Sequence, residues 1–115
     1  MEDVKDYIGK TVTVKIERKL GDKHSDEYPK HIYPLNYGYI KEIYAGDGEY
    51  QDVYVIGVNN IIKEFDGKVI ALINRKDDVE DKLVVCDKNE NYSIEEIEKF
   101  VSFQEKYFKH KIITK

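Results

Sequence analysis

Asp47, Glu49 and Asp52 place three carboxylates within six residues, in the stretch AGDGEYQDV. Gly46 and Gly48 flank Asp47 as a turn, and the β-branched and aromatic run Val53, Tyr54, Val55 and Ile56 follows, so the acids stand where a strand begins. In extended backbone Asp47 and Glu49 point to the same side, and an irregularity around Gly48 or Tyr50 would bring Asp52 to join them. Crowded carboxylates repel one another unless a cation neutralises them, and magnesium and calcium want several oxygen ligands. The alternative is a solvated hairpin turn, since DG turns are common and acids are usually exposed.

Just upstream lies YPLNYGYI, Tyr33 to Ile40, a mix of stiff rings and a permissive glycine that is poor helix material and good turn-then-strand material. YPLNYGYI followed by DGEYQDVYVIG resembles the core signature of the family I inorganic pyrophosphatases, which carry a Tyr-Pro-x-Asn-Tyr-Gly segment and then an Asp-Gly-Asp-Pro-x-Asp segment. EDKLVV at Glu80 to Val85 and FQEKYF at Phe103 to Phe108 resemble later segments of that family in the same order. The resemblance covers Val12 to Phe108 of a chain shorter than a usual member.

The resemblance implies a five-stranded barrel with helices and a magnesium-dependent hydrolysis of pyrophosphate. Asp47, Glu49 and Asp52 match its metal-holding acids, with Glu49 at the position that helps activate water. Glu80 matches a further metal ligand and Lys82 a phosphate-binding lysine. Another family aspartate would fall at Arg75 by direct count, so either Asp77 or Asp78 takes its place through a shorter loop, with Asp78 the candidate ligand, or that ligand is missing. Tyr33 and Tyr37 would donate phenolic hydrogen bonds to phosphate, and Tyr107 matches a phosphate-contacting tyrosine on the closing helix. Glu17 matches an acid at the end of the first strand. Glu49, Tyr37 and Lys82 are thus the catalytic candidates.

The chain also departs from the family pattern. Glutamate replaces aspartate at Glu49 and Glu80, Tyr50 replaces a proline, Phe108 a lysine, and the arginine before YPLNYG is missing. One extra methylene moves a carboxylate by about 1.5 Å, and small misplacements at a reacting centre are costly. The phosphate clamp therefore looks rebuilt, with Arg18, Lys23 and His24 the nearest cations; Arg18 has a fork suited to phosphate and His24 a ring suited to anion binding or proton shuttling.

These residues need a scaffold. Thr11 to Glu17 alternates with Val12, Val14 and Ile16 on one face, a half-buried strand. Arg18 to Lys30 is polar and reads as a surface loop. Tyr37 to Ala45, Asp52 to Val58, Lys68 to Asn74 and Leu83 to Cys86 read as further strands. Ser93-Ile94-Glu95-Glu96 fits a capping box, and Ile97, Phe100, Val101 and Gln104 follow at helical spacing up to Tyr107 and Phe108. The expectation is an α+β fold, a small curled antiparallel β-barrel, OB-like, of about five strands, with a C-terminal amphipathic helix.

At 115 residues the chain is read as a single domain spanning 1–115. Its net charge of -4 argues against a nucleic-acid partner. Cys86 is alone in the apolar run LVVC, a buried thiol suited to a reducing cytoplasm, and neither a membrane span nor a signal peptide is expected. Tyrosines such as Tyr44 and Tyr54, expected to be exposed, leave a homo-oligomer open. The expected function is a magnesium-dependent inorganic diphosphatase using metal-activated water. The alternatives are a metal-dependent hydrolase of another phosphate ester or phosphoanhydride, and a non-catalytic module that binds metal or a phosphoryl ligand.

Overall fold

A computed structural model describes residues 4–23, 32–44, 48–76 and 81–114. Alternating sequence becomes a barrel of five strands: β1 (Thr11–Arg18), β2 (Asn36–Tyr44), β3 (Tyr50–Val55), β4 (Glu64–Arg75) and β5 (Asp81–Cys86). Neighbours run β1, β2, β3, β5, β4, and a β1 to β4 pairing closes the ring. The barrel is mixed, because β3 and β5 pair in parallel while the other pairs are antiparallel.

Period-two alternation sorts each strand between two cores. Val14, Ile40, Val53, Val55, Leu83 and Val85 fill the barrel, capped by Ile8 at one end. Tyr37, Tyr54, Ile56, Ala71, Ile73 and Val84 face outward, beneath α1 (Ile94–Glu105), which presses Ile97 and Val101 onto them. In β4 the register shifts between Val69 and Ala71. That bulge lets the strand give Val69 and Leu72 to the interior and Ala71, Ile73 and Arg75 to the helix side.

The capping box at the start of α1 forms as expected: Glu96 N donates to Ser93 Oγ at 3.1 Å and Ser93 N to Glu96 Oε1 at 2.9 Å. The helix ends at Glu105, earlier than its apolar spacing suggested, and leaves Tyr107 beyond it. A sixth strand, β6 (His110–Ile113), then pairs with the far end of β4. Tyr54, expected on the surface, is fully buried under the helix, so it marks no interface.

Gly38 of the YPLNYG motif lies where β2 crosses β1 at a register shift between Ile16 and Arg18. A Cβ there would sit 1.9 Å from the Lys15 carbonyl oxygen, so the strands approach this closely only with glycine. Asn36 of the same motif is a buried pin. Its Oδ1 accepts from Leu20 N at 3.0 Å and its Nδ2 donates to the Asn60 carbonyl at 3.0 Å, tying two loops to β2.

Candidate functional site

Parallel pairing puts Asp52 and Lys82 side by side, since Val53 and Leu83, one residue on in each strand, are in register. Both side chains point to the outer face. Lys82 Nζ donates to Asp52 Oδ2 at 2.6 Å and to Tyr37 Oη at 2.9 Å. The Lys82 side chain is 4% exposed and that of Asp52 27%, so the cluster is open at the carboxylate. Burial pushes the Tyr37 hydroxyl far above its usual range, and the charge of Asp52 adds to that. Tyr37 therefore stays protonated, a donor at any ordinary pH.

Around this trio stand other expected residues. Arg18 is the register partner of Tyr37 across β1 and β2. The Tyr33 hydroxyl is raised by burial, with Arg18 opposing and Glu17 and Asp52 adding to the rise, so these four groups share one electrostatic neighbourhood. Tyr33 Oη donates to Gln104 Oε1 at 3.1 Å, which ties its proton to the helix. Glu49 is exposed in the bend before β3. The irregularity expected around Gly48 or Tyr50 falls largely on the opposite strand: Ile40 pairs Gln51 while Tyr44 pairs Tyr50, which leaves residues 41–43 extra on β2. Gly48 itself has φ +85°.

Tyr107, expected on the helix, lies beyond its end and is 66% exposed, with Lys106 Nζ 5.3 Å from its ring centre. Asp47, Asp78, Glu80 and His24 lie outside the described residues. Among the described residues no three His, Cys, Asp or Glu side chains converge as a cation site. The donor chemistry nevertheless suits a hard cation: Asp52 and Glu49 are oxygen donors reachable from solvent, with no thiolate or imidazole described beside them.

Beneath the trio runs a buried network that the sequence reading missed. Glu105, fully buried, accepts from Arg75 Nε at 3.1 Å, Arg75 Nη2 at 2.6 Å and Tyr54 Oη at 2.6 Å. Gln104 Nε2 donates to Tyr54 Oη at 2.7 Å, so the chain of bonds runs on to Tyr33. Burial pulls the Arg75 guanidinium down, but the Glu105 carboxylate outweighs it and leaves Arg75 above its usual value. Burial and then Glu105 hold Tyr54 far above the phenol range. The Phe108 ring covers the guanidinium at 3.8 Å. A signal existed: Glu105 follows Ile97 and Val101 at four-residue steps, and Arg75 follows Ala71 and Ile73 at two-residue steps, each a charge on an apolar stripe.

The family model described as inorganic pyrophosphatase matches residues 8–113. Among solved structures, an inorganic pyrophosphatase from Ehrlichia chaffeensis aligns with TM-score 0.68 and 17% identity over 93% of this chain and 87% of that one. One from Neisseria gonorrhoeae gives 0.64 and 18% over 83% and 72%, and one from Helicobacter pylori 0.61 and 15% over 99% and 87%. No curated protein sequence matches.

Proposed function

Because the chain belongs to the inorganic pyrophosphatase family, whose members hydrolyse a phosphoanhydride, we propose that it splits pyrophosphate to phosphate with magnesium as its metal. The observation that carries this reading is the Asp52, Lys82 and Tyr37 cluster, a half-open carboxylate beside a buried cation and a permanently protonated phenol. Asp52 and Glu49 would hold the metal, with Asp47, Asp78 and Glu80 completing the set. Magnesium, when bound, neutralises phosphate charge and makes nearby water more acidic.

The protein's own groups divide the remaining work. Lys82 Nζ and the Tyr37 hydroxyl donate to phosphate oxygens, and Arg18, beside Tyr37, forks onto the same substrate from β1. Asp52 keeps the ammonium aimed outward from its buried stem. Glu49 takes the proton of the attacking water as the bridging P–O bond breaks and one phosphate leaves. Glu17, His24, Tyr33 and Tyr107 complete the proposed substrate contacts. No helix among the described residues is long and apolar enough to cross a membrane, and the lone, buried Cys86 supports placing the reaction in a reducing cytoplasm.

The test is phosphate release from pyrophosphate by the pure protein, with magnesium, with chelator, and with Asp52→Ala. Release that stops with chelator and with Asp52→Ala is the expected result. A folded protein that releases none in magnesium overturns the reading.

A further inference from the structure

Gln51 brings an amide into the barrel interior. The alternation that sends Val53 and Val55 inward sends Gln51 inward too, and its register partner Ile40 belongs to the same core. Gln51 is wholly buried. Its Nε2 donates to the Asp52 carbonyl at 3.0 Å and to the Asp81 carbonyl at 2.6 Å. Its Oε1 is buried and has no hydrogen-bond partner among the described residues.

The two carbonyls fix which way the amide faces, because turning it over would set its oxygen against both of theirs. An oxygen left unmatched in apolar surroundings costs free energy that an apolar side chain of the same length would not incur. What the amide contributes is therefore its two N–H bonds, and these span two strands. Asp52 belongs to β3 and Asp81 to β5, and the parallel register of those strands begins at Val53 and Leu83, two residues beyond Gln51 and Asp81. Asp81 is held from β4 as well, where Asn74 Nδ2 donates to its Oδ1 at 3.0 Å. Gln51 immediately precedes Asp52, and Asp81 immediately precedes Lys82. The amide thus grips each strand beside the residue whose side chain meets its partner at 2.6 Å on the outer face.

We infer that Gln51 is a positioning residue: from inside the barrel it sets the spacing of Asp52 and Lys82 outside it, and with that spacing the affinity for magnesium. The inference rests on the reading of Asp52 as a metal ligand. Gln51 itself touches neither metal nor substrate. Where the two strands part, the Asp52 carboxylate moves relative to the ammonium beside it, and a displacement of about 1 Å at such a site costs about 100-fold.

The experiment is calorimetric titration of the full chain with magnesium chloride, comparing wild type, Gln51→Met, Gln51→Leu and Val55→Ala. Methionine keeps the length of glutamine without its donors. Val55→Ala opens the same interior further along β3 and loosens the barrel without cutting the amide bonds. The magnesium Kd is expected to rise about tenfold or more in the Gln51 variants and to stay within about twofold of wild type in Val55→Ala, well below its melting temperature. Folded Gln51 variants that keep the wild-type Kd overturn the inference, as does Val55→Ala weakening magnesium equally, or a wild type that binds no magnesium. If neither Gln51 variant folds by circular dichroism, the amide serves the barrel rather than the site, and the inference is overturned again. Phosphate release from pyrophosphate, assayed on the same wild-type preparation, reports the underlying reading separately. Release by wild type with an unchanged Kd in the Gln51 variants refutes the clamp alone. A weakened Kd in those variants, with no release by wild type, refutes pyrophosphate hydrolysis while the clamp stands.

Discussion

Replacing Glu105 with glutamine removes a negative charge from a place with no access to water, while leaving side-chain volume almost unchanged. The carboxylate accepts two bonds from Arg75 and one from Tyr54, and both members of the ion pair are almost wholly buried, at 4% and 0% side-chain exposure. Glutamine still offers an oxygen to Tyr54, but it removes the carboxylate charge that faces the guanidinium. Breaking one partner of such a pair costs about 3–5 kcal/mol. At about 4 °C per kcal/mol for a chain of this size, the melting temperature should fall by roughly 12–20 °C. Adding Arg75→Met removes the buried positive charge and keeps an apolar stem against Phe108. The double variant should recover about 2 kcal/mol or more of the loss, because an apolar pair of similar volume often substitutes well for a buried ion pair. Thermal and urea unfolding of wild type, both single variants and the double variant complete the cycle. A Glu105→Gln melt within about 1 kcal/mol of wild type, or strictly additive losses, would refute the claim that this pair fastens α1 to β4.

Three further outcomes follow from the geometry. Lys82→Met, which cuts the bonds to Asp52 and Tyr37, should lower kcat/KM for pyrophosphate about 100-fold, equivalent to about 2.7 kcal/mol, with an unchanged circular dichroism spectrum. Gly38→Ala drives a Cβ onto the Lys15 carbonyl oxygen and should cost at least about 2 kcal/mol in urea unfolding; a neutral result would sink the close-approach argument. Burial pulls His110 down, yet its bonds to the Phe108 carbonyl and the Glu98 carboxylate, with the charges of Glu98 and Glu105, raise it overall. A raised folded-state value means that its contribution is complete below the unfolded value and fades as pH rises through the folded one. Wild type should therefore lose stability relative to His110→Asn as pH rises above the ordinary imidazole value of about 6.5, as read by paired thermal melts; parallel curves would contradict this.

Legibility in the sequence followed local signals. Period-two alternation located β1, β-branched and aromatic runs between turn residues located β2, β3 and β5, and the capping box located the start of α1, because each is decided by neighbours in the chain. β4 runs longer at both ends than its apolar run, Lys68 to Asn74, because Glu64 and Asp66 face solvent while Arg75 is neutralised by Glu105. The apolar stripe marks Arg75 as a charge on a buried face, but no local pattern names the partner thirty residues away that neutralises it. β6 was missed for a similar reason: four residues, HKII, become a strand only because β4 presents an open edge. At the site, the family resemblance pointed to Tyr37, Asp52 and Lys82, and the fold brings these three side chains together. The helix assignment of Tyr107 failed because α1 stops at Glu105. Tyr33 was read as a phosphate donor, and its hydroxyl also serves Gln104, a contact set by how the helix lies across the barrel.

The parallel pairing of β3 with β5 also fixes when the site comes into being. Asp52 and Lys82 are 30 residues apart in the chain, and β4 must be laid down and turned back before their strands can meet. Closing so distant a pair costs chain entropy that no local contact repays. As the chain leaves the ribosome, the meander of β1, β2 and β3 already carries Tyr37 and Asp52, yet the ammonium that joins them arrives only with β5. The cluster is therefore a late product of barrel closure: a nascent chain without β5 has the acid and the phenol but lacks the lysine that links them.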